Sequence, residues 1–267
     1  MVASRWTDPV DAVEVVAGRM ADLVRSLPDE RSDALGVWDS LELATHATHV
    51  FEFAADVVGG GDPPLHDIRR LGDFTRDMVD RDPERDPQVL ARRIEMATAR
   101  LIGALSSGPP RDVRWLGGIE VPVSLLPGHL LSETLLHGAD LAAAVGGSWK
   151  IESAHALVAV RDFLFPILQR LDPEFFLTER GRAARTSYEV RAPGAGAIRL
   201  DFGHGTVVVG PASGRPVDCR IWGEPAALLQ VVFGRISQWR AIVGGRLVAW
   251  GRKPWLAPQL TSLVRGP

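Results

Sequence analysis

The sequence predicts an α+β protein of two domains, a four-helix bundle followed by a small domain with an antiparallel sheet. Apolar residues recur at helical spacing through the first 150 residues, whereas after Arg185 the period switches from 3.6 to 2. The charge changes sign in the same region. From Arg180 onward there are 13 Lys and Arg against 4 Asp and Glu, and the preceding part holds 17 against 29.

The elements follow in order. Val13, Val16, Met20, Leu23 and Leu27 mark a first helix behind Thr7-Asp8-Pro9, ended by Pro28. A second helix is expected from Asp39 to Val58, stopped by Gly59-Gly60-Gly61, and a weaker helical segment from His66 to Val79. Asp86-Pro87 supplies an N-cap and a first-turn proline for a helix through Leu90, Ile94, Leu101 and Leu105. Val113 to Val121 reads as a small hairpin around Gly117-Gly118, and a further helix starts beyond Pro127-Gly128 and ends near Gly146-Gly147. These pieces assign 1–150 to the bundle and 151–267 to the second domain, with a helix from Ser153 to Leu171 that belongs to either or connects them. Strands are expected at Tyr188–Arg191, Ile198–Phe202, Thr206–Val209 and Val217–Trp222. A helix from Pro225 to Phe233, a strand at Arg246–Trp250 and a terminal helix from Pro254 complete the chain.

Composition narrows the function classes. With 46% hydrophobic and 24% charged residues over 267 positions, the chain has the make-up of a globular protein. No apolar run approaches the roughly 18–20 residues that span a bilayer, so no membrane span is expected. MVASRWTDPVDAVE lacks the basic start and apolar stretch of a secretory signal, which points to a cytoplasmic protein. One cysteine, Cys219, leaves neither a disulfide framework nor a Cys-x-x-Cys site, and its alternation with Val217 and Ile221 makes it a buried structural thiol. The C-terminal arginines are scattered along strands without a reading motif. Nucleic acid is therefore not an expected partner; an anionic ligand, or docking on the acidic half, fits the basic part better.

The residues that carry chemistry sit on two helices. Glu133 and His137 in LLSETLLHGADLAAAVG are four apart, about 40° round an α-helix, and leave from one face. His46 in WDSLELATHATHV is the third ligand-type side chain. Two imidazoles and a carboxylate, with one position open, form a common catalytic zinc set. His129, Glu133, His137 and Asp140 make a narrow polar stripe on a helix otherwise apolar, and a buried carboxylate or imidazole needs a partner. The bland alternative is a helix-surface pair worth a few tenths of a kcal/mol. On the second helix Asp39, Glu42, His46 and His49 share a face. Glu42, His49 and His129 are candidates for a second shell or the substrate pocket, and Asp140 for orienting an imidazole or solvating the helix end. His66, His155 and His204 have no constellation around them, and Gly194-Ala-Gly196 and Gly203-His-Gly205 are strand turns rather than phosphate loops.

The pattern Trp38-x7-His46, a hairpin, then Glu133-x3-His137-Gly-x-Asp140-Leu-x3-Val-Gly146 resembles mycothiol-dependent maleylpyruvate isomerases, members of the DinB-like metal-binding bundles. The run Asp218-x-Arg-Ile-Trp-Gly-Glu-Pro-Ala-Ala-Leu-Leu-x4-Gly234-Arg235 is similar to the sterol-carrier-protein-2-like domain joined to that bundle in the family. The resemblance implies His46, Glu133 and His137 as ligands of a divalent metal, usually zinc, with mycothiol as the thiol cofactor. It also implies an assisting arginine in the C-terminal domain, for which Arg235 is the local match. THATHV departs from the family's His-Leu-Ala, so that His49 is extra. The implied activity is isomerisation of a maleylpyruvate-type substrate or S-transfer to small electrophiles in the cleft between the domains; the small-molecule substrate would be anionic or electrophilic. A non-catalytic carrier of an apolar ligand, with a structural or vestigial metal, is the competing reading. A zinc-water hydrolase with Glu42 or His49 as base ranks third.

Overall fold

The computed structural model describes residues 8–28, 31–63, 65 and 67–265, so His66 lies outside the described residues. The chain divides into two compact units, Met1–Ile151 and Glu152–Pro267.

In the first unit α1 (Pro9–Arg25) starts at Asp8, whose side chain accepts from the Val10 N–H at 2.8 Å. The hairpin of β1 (Asp33–Leu35) and β2 (Trp38–Asp39) follows. It hands the chain to α2 (Ser40–Val58) through a capping box: Asp39 accepts from the N–H groups of Leu41 and Glu42, and Glu42 accepts from the Asp39 N–H. A 3₁₀ turn (Ile68–Arg70) runs into α3 (Leu71–Arg81), and α4 (Pro87–Ser107) is capped by Asp86. The second hairpin, β3 (Asp112–Arg114) with β4 (Glu120–Pro122), pairs Val113 with Val121; its bend uses Gly117 and Gly118, both at positive φ. Then comes α5 (Leu126–Ala144). It starts at Leu126, ahead of the start expected beyond Pro127-Gly128, because a proline at the first turn loses no helical bond.

The bundle is closed in a ring. α1 packs on α4 and α5, and α2 packs on the same two, so α1 and α2 are diagonal while α2 and α5 are neighbours. Val16, Met20 and Val24 of α1, Leu43 and Phe51 of α2, Leu90, Ile94 and Leu101 of α4, and Leu130, Leu135 and Leu141 of α5 are buried between them. Removal of each such side chain from water contributes about 1.5–3 kcal/mol. α5 is the central element: His129, Ser132, Thr134 and His137 are buried along with its leucines. Ser132 and Thr134 satisfy their hydroxyls on carbonyls one turn back.

One ionic cluster ties three parts of this unit. Arg93 of α4 holds the Glu52 carboxylate of α2 by two hydrogen bonds of 2.8 and 2.9 Å and donates to Asp82, just after α3, at 2.8 Å. His49 Nε2 donates to the same Asp82 oxygen at 2.8 Å. Arg85 fastens the adjoining turn by donating to the carbonyls of Val79, Asp82 and Glu84.

The second unit begins with one helical run in three parts, α6 (Ser153–Ala159), a π turn (Val160–Leu164) and α7 (Phe165–Leu168). The wide turn falls just ahead of Pro166, which has no N–H for a regular helical bond. After α8 (Glu179–Ala183) come the strands β5 (Thr186–Ala192), β6 (Gly196–Gly203), β7 (Thr206–Pro211) and β8 (Cys219–Gly223). α9 (Pro225–Val232), α10 (Gln238–Val243), β9 (Leu247–Trp250), a 3₁₀ turn (Pro254–Gln259) and α11 (Leu260–Leu263) complete it.

The sheet order is β7-β6-β5-β8-β9. It departs from a purely antiparallel sheet at one place: β5 and β8 run parallel, Tyr188 opposite Cys219 and Val190 opposite Ile221. The chain leaves edge strand β7 and returns along β5, a crossover that alternation alone does not reveal. Tyr188, Val190, Ile198, Leu200, Phe202, Val207, Cys219 and Ile221 form the covered face. Burial pushes the Cys219 thiol up to about 11. The Gly203-His204-Gly205 turn holds His204 at φ 52°, as a strand turn and not a ligand loop.

Burial raises the Asp82 carboxyl, but the hydrogen bonds from His49 and Arg93 outweigh it and bring it to about 2, from an ordinary 3.8. The folded-state value is depressed, so this contribution is complete above the ordinary value and is lost as pH falls through about 2. Asp82→Asn is therefore expected to lose about 1–2 kcal/mol in urea denaturation at neutral pH, with the gap to wild type closing near pH 2. A gap that persists unchanged at low pH contradicts the assignment.

Candidate metal centre

α2 and α5 place His46, Glu133 and His137 side by side: one ligand atom from each lies within 4.8 Å of the others. The Glu133 Oε2 is 3.0 Å from His137 Nε2, and the rings of His46 and His137 meet edge to face at 5.0 Å. Ligands on a tetrahedral zinc stand roughly 3.3 Å apart, so side-chain rotations that draw the set in by about 1 Å bring it to coordination distance.

Each ligand of α5 has a partner on its own helix. His129 Nε2 lies 3.5 Å from Glu133 Oε1, one turn back, leaving Oε2 toward His137. Asp140 Oδ2 lies 3.4 Å from His137 Nδ1, one turn on. With Nδ1 facing a carboxylate, Nε2 is the nitrogen directed to the centre, the arrangement by which outer carboxylates fix metal-bound histidines. His46 is different. It is 9% exposed, makes no hydrogen bond among the described residues, and is covered by the indole of Trp38 at 4.7 Å. Trp38 stands on β2, just ahead of the helix.

The protonation states follow from burial and neighbours. Burial and the nearby His137 push His46 down to about 3, so it is a neutral imidazole with a lone pair. Burial opposes ionisation of Glu133, but His129 and His137 together outweigh it and hold the carboxyl well below its ordinary range. Burial likewise works against a charged His137, yet Asp140 and Glu133 raise it to about 9. The charged His137 is shared between two carboxylates, one positive charge against two negative; a divalent cation would replace its proton with a larger charge. A buried neutral imidazole without a hydrogen bond, beside a half-buried ionised carboxylate, fits a metal by the chemistry of its donors.

Backbone packing supports the arrangement. At Gly138, next to His137, an added Cβ would lie 2.5 Å from the Trp149 ring. Trp149 can therefore lie flat on α5 only over a glycine, and Arg19 of α1 covers its other face at 4.2 Å.

The remaining expected residues are placed elsewhere. Glu42 is engaged in the α2 capping box, a use that the Asp39-x-x-Glu42 spacing signals in the sequence. His49 turns to Asp82 and the Arg93 cluster. Arg235 lies in the second unit, where Nη1 donates to the Phe233 carbonyl at 2.8 Å beyond the end of α9. His155 is buried on α6. Trp149 is what sequence reasoning misses; Trp38 enters it as part of the family motif, and His129 as a member of the polar stripe on α5.

A helical bundle with a buried two-histidine, one-glutamate cluster, followed by an α+β unit with a five-stranded sheet, defines the class of protein. Residues 11–142 match the family described as the mycothiol maleylpyruvate isomerase N-terminal domain, and residues 178–252 match the SCP-2 sterol transfer family. The first unit thus carries a domain of the mycothiol maleylpyruvate isomerase N-terminal family, and the second carries an SCP-2 domain. Among solved structures, a mycothiol-dependent maleylpyruvate isomerase is 16% identical with a TM-score of 0.53, over 90% of this chain and 91% of that one. A histidine-to-alanine mutant of such an isomerase is 16% identical with a TM-score of 0.55 over the same shares. At that identity the likeness concerns the fold. No curated protein matches the sequence.

Two outcomes test this description. Asp140→Asn is expected to weaken zinc binding about 10–100-fold in a chelator competition while the helical circular dichroism stays that of wild type; unchanged affinity contradicts the outer role of Asp140. Cys219, fully buried and with its thiol pushed up to about 11, is expected to resist iodoacetamide at pH 8 in the native protein and to react once the chain is unfolded in urea.

Proposed function

We propose that this chain is a metal-dependent enzyme that uses an external low-molecular-weight thiol of the mycothiol type on a small electrophilic substrate. The observation that carries the reading is the cluster of His46, Glu133 and His137, in a bundle of the family named above. Those three residues would hold a divalent ion, zinc suiting two imidazoles and a carboxylate with an open position. When bound, such an ion supplies the positive charge that favours a thiolate at neutral pH.

The chain's own residues set the conditions. Glu133 is ionised and His46 neutral, so neither needs to lose a proton to serve as a ligand. Asp140 and His129 fix the directions of His137 and Glu133. Trp38 lies over the His46 ring and His137 is buried, while the Glu133 side chain keeps 24% of its surface exposed. The thiol must come from outside, because Cys219 is buried in the sheet of the other unit and is held protonated.

The favoured reaction is cis–trans isomerisation of a conjugated dicarboxylic acid of the maleylpyruvate type. The thiolate sulfur adds to one carbon of the double bond, the electron pair moves to the conjugated carbonyl, rotation follows about the resulting single bond, and return of the electron pair restores the double bond and expels the thiolate. S-transfer to an electrophile shares the first of these steps. Arg235 is our candidate for meeting a substrate carboxylate.

The family match over residues 178–252 favours a second reading, in which this unit carries an apolar ligand and the metal is structural. Saturable binding of a fluorescent fatty acid by the full chain, without any thiol-dependent turnover, would select it.

The test is turnover of maleylpyruvate with mycothiol by wild type and His137→Ala, alongside zinc content. Loss of both zinc and turnover, by about a hundredfold or more in rate, is the expected result. A His137→Ala protein that keeps its zinc rejects the ligand assignment, and one that turns over normally without zinc rejects the metal-dependent reading.

A further inference from the structure

The second unit carries a surface that the metal centre does not use. Eight large apolar side chains are exposed among the described residues, and five fall between positions 239 and 255: Trp239 (59%), Val243 (87%), Val248 (49%), Trp250 (40%) and Trp255 (65%). They sit on α10, on β9 and on the 3₁₀ turn after it. β9 is the edge strand of the sheet, and α10 and that turn both pack against it. Scattered single apolar residues on a surface need no explanation, whereas three tryptophans and two valines around one strand do.

The charge of the same segment is one-sided. From Pro225 to Pro267 the sequence contains no Asp or Glu, against Arg235, Arg240, Arg246, Arg252, Lys253 and Arg265. Lys253 pairs with Asp218 at 3.0 Å and Arg246 lies 3.9 Å from Glu224, both acids from outside the segment. Arg240 and Arg252 are exposed and enter no salt bridge among the described residues. Tryptophan rings with arginines among them are the side chains that settle at a bilayer's headgroup level, where the ring is half buried and the cation meets anionic lipid. The two exposed valines distinguish this face from a single-strand nucleic-acid surface, which needs rings for stacking and a continuous cationic track.

We propose that the α10–β9 face of the second unit docks on the surface of an anionic lipid bilayer, with Trp239, Trp250 and Trp255 inserted among the headgroups and Arg240 and Arg252 against the lipid phosphates. This surface is independent of the metal reading, and either can fail without the other.

The test is co-sedimentation of the full-length protein with large vesicles of phosphatidylcholine, with or without phosphatidylglycerol, at low and physiological salt. Wild type is expected to pellet with the anionic vesicles and to be released by salt, each cation near the surface being worth about fivefold. Trp239→Ser with Trp255→Ser is expected to lower the partition about tenfold or more, since each ring loses an apolar burial of that order. Arg240→Glu with Arg252→Glu is expected to abolish the preference for phosphatidylglycerol. Circular dichroism and zinc content identical to wild type show that the variants are folded. Wild type remaining in the supernatant with anionic vesicles at low salt overturns the proposal. So does a partition that the tryptophan pair leaves unchanged, or capture of a single-stranded oligonucleotide in place of vesicles.

Discussion

The structure of the first unit turns on a carboxylate placed inside a helical bundle. Glu133 projects from the most buried helix of the protein, between two histidines of its own face and opposite a third on α2. An unpaired charge there would cost several kcal/mol, more than any single apolar contact in the core contributes. The surrounding residues answer that cost: His129 and His137 sit one turn to either side, Asp140 balances His137, and the ring order of the bundle brings His46 alongside. The divalent ion proposed here would complete that balance and would tie α2 to α5, two helices far apart in sequence.

His46 and the α5 ligands are held in different ways, and the difference has a chemical consequence. The α5 ligands are aimed by polar partners on the same rigid helix, so their geometry is set before any ion arrives. His46 has no hydrogen bond among the described residues and is held by packing, chiefly against Trp38 on the hairpin that leads into α2. The capping box at Asp39 and Glu42 fixes where that helix begins and thus how Trp38 lies over His46. A residue pair that looks like pocket chemistry in the sequence serves instead to position the pocket wall.

The legible parts of the sequence were those governed by local rules. Helical spacing, first-turn prolines and glycine stops mark α1, α2, α4 and α5, and the i, i+4 relation of Glu133 and His137 shows their common face without any tertiary knowledge. What depends on pairing distant segments was not legible. The sequence offers His49 to the site, but the turn between α3 and α4 brings Asp82 to it and draws the ring into the Arg93 cluster. Alternation marks β5 and β8 as strands and is silent on their direction, so the parallel pair appears only in three dimensions. The π turn before Pro166 is likewise a compromise between one proline and an otherwise continuous helix.

The account rests on an ion bridging α2 and α5, and elemental analysis of the purified protein tests it most directly. About one divalent ion per chain in wild type, lost from both His46→Ala and Glu133→Ala, is the result it requires, because the two substitutions lie on different helices and share only the site. A wild type that holds no ion after reconstitution, or a His46→Ala protein that keeps a full complement, contradicts it.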